Sequence, residues 1–192
     1  GPPPPLSAKR KFAEDAEGDK QIPEARALIL DAECRLEQKL RSGGADARGF
    51  EDVLLTVVRA ARDSAREGGK EVSMTDVRRV LRWMRAEGLI PTAEAYLYAL
   101  AAMTLLTDLH KYSVSHARQV LLHMRVDGVH LSVPHVECVM RMVLIAARDG
   151  RAPPKEATQV LDLIHEQQQL QSQNCTVQLN TTTSDLMSRR AW

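Results

Sequence analysis

Two stretches of the chain align without a gap, SMTDVRRVLRWMRAEG over residues 73–88 and SVSHARQVLLHMRVDG over residues 113–128. The alignment corresponds to a shift of 40 residues, which places Ser73 on Ser113 and Gly88 on Gly128. Within each stretch the apolar residues are spaced i, i+3, i+4 and i+7, which is the pattern of one face of an α-helix. These residues are Val77, Val80, Leu81 and Met84, then Ala117, Val120, Leu121 and Met124. The sequence therefore predicts amphipathic helices that repeat along the chain.

The flanking sequence predicts further helices on both sides of this pair. A second shift brings Val160, Leu161 and Ile164 onto the same apolar positions, and residues 60–63 (AARD) recur at residues 146–149. The Ser73/Asp76 spacing is typical of a capping box at a helix start. We expect seven helices and no strand, beginning near Pro23, Phe50, Ser73, Pro91, Ser113, Val133 and Pro153, the last ending near Gln171.

A helix-turn-helix unit cannot bury its apolar face alone, so repeated units stack and bury it together. We predict an all-α protein, an α-solenoid of about three such units with an extra N-terminal helix, over residues 21–172. The helix after Pro91 is apolar nearly all round, so we expect it between two others. Residues 1–20 are predicted to be a disordered tail and residues 173–192 a loose polar tail.

Composition argues against several functional classes. The net charge of +1 gives no support for strong electrostatic binding of nucleic acid. The three cysteines form no CxxC pair, which argues against a zinc or redox site and favours a reducing compartment. The histidines between His110 and His135 show no metal-ligand spacing. We expect no enzyme activity, catalytic residue, cofactor, metal or membrane span.

The junction between helices carries a family resemblance. Residues 84–91 (MRAEGLIP) followed by Tyr96 resemble the junction of pentatricopeptide-repeat (PPR) proteins, in which Met and Gly precede a Pro and an aromatic residue. Residues 124–131 (MRVDGVHL) repeat it, with Val136 at the aromatic position. The resemblance covers about Phe50 to Gln171. It implies an organellar protein, mitochondrial or alternatively plastid, that binds single-stranded RNA at about one base per repeat.

The base-reading positions of the PPR family are occupied by unusual residues. By this resemblance one reader follows the first-helix aromatic, and the other closes each unit. Leu97 has no hydrogen-bonding group for a base edge, and a glutamate would repel nearby phosphates. We therefore expect any RNA binding to be weakly sequence-selective. The first set of positions holds Glu51, Leu97 and Glu137, and the second holds Thr92 and Ser132.

Five arginines form a basic stripe that the repeat partly reproduces. Arginine suits phosphate contacts, and the same side chains suit an acidic protein surface. An ordinary solvated helix face is the alternative. We take them as the candidate RNA-binding or partner-binding residues: Arg78, Arg82, Arg85, Arg118 and Arg125.

The resemblance and these departures from it together predict a non-enzymatic structural or adaptor subunit of a large organellar assembly, in the first place the mitochondrial ribosome. Its partners would be proteins of that complex, with rRNA or other organellar RNA contacted through the backbone. One alternative is a stand-alone PPR factor in organellar RNA processing or translation. Another is an accessory subunit of a respiratory or photosynthetic complex.

Overall fold

The computed structural model describes residues 23–44 and 46–189, and within these ranges the chain is all-helical, as predicted. The predicted N-terminal tail, residues 1–20, lies outside them. The described part contains seven α-helices and no strand. They are α1 (Glu24–Arg41), α2 (Ala47–Glu67), α3 (Met74–Ala86), α4 (Ala93–His110), α5 (Val114–Val126), α6 (Val133–Arg148) and α7 (Pro154–Arg189).

Helices α3 and α5 end in the same way, which explains the repeated glycine. Gly88 and Gly128 have φ angles of 79° and 68°, in the left-handed region that glycine enters without steric cost. The amide after each glycine returns to the helix, at 3.0 Å from Leu89 N to Met84 O and 2.9 Å from Val129 N to Met124 O. Each turn thereby satisfies a carbonyl that the helix end leaves without a partner.

The predicted capping box at the start of α3 is confirmed. Ser73 Oγ accepts from Thr75 N at 3.3 Å, and Ser73 N donates to the Asp76 carboxylate at 2.9 Å. Asp76 is buried, and Arg26 of α1 donates to both of its carboxylate oxygens. The cap therefore also fixes α1 beside the start of α3.

Helix α4 packs between α2 and α6, as its all-round apolar sequence predicted. On the outside of this α2–α4–α6 layer, α3 packs on α2 and α4, α5 packs on α4 and α6, and α7 packs on α5. The largest fully buried side chains of α4 belong to Tyr96, Leu100, Met103 and Leu106. Helices that are neighbours in sequence, and helices two apart such as α2 and α4, thus share one core.

The repeated apolar spacing predicts that six residues are buried at equivalent places in α3 and α5: Val80, Leu81, Met84, Val120, Leu121 and Met124. All of them except Leu81 are buried. The prediction for Leu81 was wrong, because this residue is only partly buried. The backbones of α5 and α7 approach each other closely, whereas those of α3 and α5 do not. Leu81 therefore lines an open groove between α3 and α5.

Side-chain contacts between helices recur at nearly the period of the sequence. Thr92 bonds Glu51 across 41 residues, Arg78 bonds Gln119 across 41, and Arg85 bonds Asp127 across 42. Residues about one sequence period apart therefore meet in the fold. The sequence period is in this way also a period of tertiary contacts.

Helix α7 is longer than the sequence analysis predicted. It continues to Arg189 instead of ending near Gln171, so the expected loose tail is helical as far as that residue. No Gly or Pro follows Pro154 within the helix, and its many glutamines have good helix propensity. No helix in the described ranges combines the length and hydropathy needed to cross a membrane.

Candidate partner-binding surface

Two of the candidate base-reading residues bond to each other where α2 and α4 meet. Thr92 Oγ1 donates to Glu51 Oε1 at 2.6 Å and also accepts from Ala95 N at 3.1 Å, which caps α4. The hydroxyl is therefore already used as donor and as acceptor. This bond joins α2 to the start of α4.

Ser132 has a similar role at the start of α6. Its backbone N donates to His135 Nδ1 at 3.1 Å, and His135 Nε2 lies 2.8 Å from Ala93 O at the start of α4. Since Nδ1 accepts, Nε2 carries the proton and donates to that carbonyl. Ser132 Oγ lies 2.6 Å from the same Nδ1. His135 is buried, so this connection lies inside the contact between α4 and α6.

The remaining two base-reading positions lie within the first turns of α4 and α6. Leu97 of α4 is partly buried, and Glu137 of α6 is exposed. Near Glu137, the apolar residues Val133 and Leu144 are exposed. These two positions thus present an apolar and an acidic side chain where a base reader would present amides or hydroxyls.

The five candidate arginines do not form one patch. Arg78, Arg82 and Arg85 line the groove between α3 and α5. On the other side of α5, Arg118 lies in a small depression beside Glu156, and Arg125 pairs with Glu166 of α7 at 3.2 Å. The first three therefore share a surface, and the other two face α7.

Arg85 is occupied by an ion pair inside the molecule. It donates to Asp127 Oδ1 at 3.1 Å and Oδ2 at 2.6 Å, and to the Tyr96 hydroxyl at 2.8 Å. Tyr96 in turn donates to Asp127. The Asp127 side chain is 7% exposed and that of Arg85 is 39% exposed. The cluster joins α3, α4 and the end of α5.

The electrostatics of this cluster favour the ionised carboxylate. Burial acts to raise the pKa of Asp127, but the hydrogen bonds from Arg85 and Tyr96 outweigh it and lower the pKa. Burial first, and then the bond to Asp127, raise the pKa of Tyr96, so the phenol stays protonated. Arg85 is therefore a structural cation, whose charge Asp127 largely neutralises.

The two other groove arginines have their charges available. Arg78 makes one long contact, 3.4 Å to the neutral Gln119. Arg82 is exposed and forms no ion pair or hydrogen bond with the described residues. We call the space that these residues line the α3–α5 groove. Its volume is about 500 Å³, with Met74, Val77, Leu81 and Val120 among its apolar residues.

An aromatic cluster lies at the end of the groove where α3 begins. Tyr112 Oη accepts from Met74 N at 2.7 Å, and His110 Nε2 lies 2.6 Å from Val72 O. The Tyr112 ring stacks on His110 and tilts against His116, with centroids 5.4 and 5.0 Å apart. The loop between α4 and α5 therefore fixes the start of α3, while the Arg85 cluster fixes its end.

Sequence reasoning missed several residues of this surface. Gln119, His116 and His123 line the α3–α5 groove opposite the arginines. They are on the polar face of α5, and no motif distinguishes them from other surface residues. Asp127 stands next to the repeated Gly128, but its long-range partners could not be read from one helix.

The described residues include no group of three His, Cys, Asp or Glu side chains placed to hold a metal ion. Comparison of the chain with protein-family models, curated proteins and solved structures gave no match. Interpretation of the site therefore depends on its own geometry.

Proposed function

We propose that this protein is a non-enzymatic structural or adaptor subunit of a large organellar assembly, with the mitochondrial ribosome as the first candidate. In this proposal its helices form an α-solenoid of PPR-like units. The stacking of α4 between α2 and α6 and the polar contacts one repeat apart support that arrangement. Such a protein acts by presenting surface to its neighbours.

The observation that carries the proposal is the state of the base-reading positions. The hydroxyl of Thr92 is used in contacts between units, and that of Ser132 lies against His135 at such a contact. Base recognition requires donors and acceptors that are free to meet a base edge. A surface of this kind supports protein contact better than readout of an RNA sequence.

RNA contact in the proposed assembly would be through the phosphate backbone. Arg82 and Arg118 are exposed and suited to such contacts, whereas Arg85 and Arg125 already have carboxylate partners. A few exposed arginines on a chain of net charge +1 give weak and salt-sensitive binding. The adaptor proposal therefore allows rRNA contact without depending on it.

Sedimentation of the tagged native protein in organelle lysate at low salt tests the proposal. Low salt preserves charge contacts between subunits. We expect the protein in a heavy fraction together with a defined set of proteins. We expect the same result after mild ribonuclease treatment, which cleaves RNA that is not part of folded rRNA. A protein found only as a free single chain would contradict the proposal. Release by mild ribonuclease with no protein partner would indicate a stand-alone RNA-binding factor.

A further inference from the structure

We propose that the α3–α5 groove is a docking site for an acidic amphipathic helix of a partner protein. This inference rests on the proposed adaptor function and specifies the chemistry of one partner. It commits to an occupant with apolar side chains on one face and carboxylates along the edge of that face. Three features of the groove support it: its floor, its charge and its length.

The floor of the groove is apolar and fixed in place. Met74 and Val77 of α3 and Val120 of α5 are buried, and Leu81 is partly exposed between them. The α3 start is held by Tyr112, and the α3 end by the Arg85–Asp127 ion pair. A preformed apolar groove lowers the ordering cost of binding. Aliphatic side chains of a partner are the groups that such a floor excludes from water.

The charge along the groove has one sign. The residues that line it include three arginines and no Asp or Glu. Asp127 neutralises Arg85, which leaves Arg78 and Arg82 as available cations. An arginine beside an apolar floor pairs well with a carboxylate, because the guanidinium forms paired hydrogen bonds and is weakly hydrated. The complementary partner is therefore acidic at its edges.

The length of the groove suits a short helix. Its lining residues run from Met74 to Arg85 on α3, a rise of about 16 Å at 1.5 Å per residue. About three turns of a bound helix cover that distance, with anchors at i, i+4 and i+7 spacing. The volume of about 500 Å³ leaves room for several aliphatic side chains.

Single-stranded RNA fits the groove less well. Proteins that bind single strands stack bases on exposed aromatic rings. The aromatic rings of the lining are that of Tyr96, which is buried and bonded to Asp127, and the imidazoles of His116 and His123. His116 already packs against Tyr112, so the lining offers no large aromatic ring on which a base could stack. Phosphates alone would gain nothing from the apolar floor. The combination of floor and cations thus favours an acidic helix.

A pair of synthetic helical peptides tests the docking site. Both carry leucines at i, i+4 and i+7, and they differ only in having glutamates or lysines beside that face. Fluorescence anisotropy measures binding to the full chain. We expect the glutamate peptide to bind, and we expect its affinity to fall as the salt concentration rises. Arg82→Glu should weaken binding of the glutamate peptide at least about tenfold, because the new carboxylate then faces the carboxylates of the peptide.

Three controls separate location, charge and the apolar floor. Arg59→Glu makes the same change at an exposed arginine of α2, which does not line the groove, and should leave binding within about twofold, since well-separated exposed charges are screened. The lysine peptide should bind Arg82→Glu better than it binds the unaltered chain. Leu81→Gln should weaken binding of the glutamate peptide without changing the salt dependence of that binding, because it alters the apolar floor and no charge.

Equal loss of binding in Arg82→Glu and Arg59→Glu would overturn the proposal, since it would indicate a general charge effect. Binding of a single-stranded oligouridylate in an Arg82-dependent manner, with no binding of the acidic peptide, would also overturn it. So would self-association of the chain that Arg82→Glu abolishes. If Arg82→Glu still sediments with the native assembly, the groove inference fails while the adaptor function stands. A native protein with no assembly at all would instead remove the adaptor function itself.

Discussion

The substitution Asp127→Asn probes the cluster that closes the α3–α5 groove. Asp127 accepts from Arg85 at 3.1 and 2.6 Å and from the buried Tyr96 hydroxyl. An asparagine at this position keeps one acceptor oxygen and loses the negative charge. The change therefore weakens the contact of α3 and α4 with the end of α5, and it releases the charge of Arg85.

The magnitude follows from the number and exposure of these bonds. A hydrogen bond to a charged group contributes about 1.5–3 kcal/mol, but Arg85 is 39% exposed, and solvent screening reduces its share. We expect the free energy of unfolding to fall by about 1–3 kcal/mol. In a domain of this size each kcal/mol lowers Tm by about 2–4 °C.

The same substitution should have the opposite effect on the groove. Because Arg85 loses its carboxylate partner, the rim gains an available cation, and the glutamate peptide should bind up to about fivefold more tightly. Stability and peptide affinity thus move in opposite directions. A general loss of structure would lower both.

Urea denaturation and peptide anisotropy on the same preparations measure the two effects. Asp31→Asn is the matched control, because Asp31 pairs with Arg35 at 3.0 Å on the surface and is 64% exposed. That pair contributes about 0.5 kcal/mol or less. Equal destabilisation by Asp127→Asn and Asp31→Asn, or weaker peptide binding by Asp127→Asn, would refute the reasoning.

Three further predictions concern the core, pH and RNA. Leu121→Ala should lower the free energy of unfolding by about 2–5 kcal/mol, because Leu121 is buried; a loss below about 0.5 kcal/mol in urea denaturation would contradict its placement. Burial acts to raise the pKa of Asp76, but Arg26 and Ser73 lower it overall. Its contribution to stability is therefore present above the ordinary carboxyl pKa of about 3.9 and lost as pH falls through the lowered value. In thermal melts, Asp76→Asn should make Tm depend less on pH in the acid range. An unchanged dependence of Tm on pH would count against this role of Asp76. Any RNA binding should differ little between unrelated single strands and weaken with salt, and a salt-independent thousandfold preference for one strand in filter binding would refute this.

Local sequence patterns were sufficient for the helices. The spacing of Val77, Val80 and Met84 identified the buried face of α3, and the Ser73/Asp76 pair identified its start. These features depend on residues within one or two turns, so each can be read from a short window. The extension of α7 beyond Gln171 was missed because the apolar spacing ends there. The polar segment that follows contains no Gly or Pro to end the helix, and the helix continues to Arg189.

The partner-binding surface depended on contacts that a short window does not contain. Sequence alone placed Arg78, Arg82, Arg85, Arg118 and Arg125 on one repeated stripe. In the structure, Asp127 and Glu166 pair with two of them from 42 and 41 residues away. Thr92 is likewise engaged by Glu51 across 41 residues.

The sequence by itself thus determined the all-helical class, the 40-residue period and most of the buried faces, because helical periodicity is a local property. The tertiary structure decided which arginine charges stay available. It also decided that α3 and α5 leave a groove between them, whereas α5 and α7 pack closely. The physical reason is that both outcomes depend on how far apart two helices pack. That distance depends on side chains of a third element, such as Tyr96 of α4 and Tyr112 of the loop after it, which bond to Arg85 and Met74 of α3.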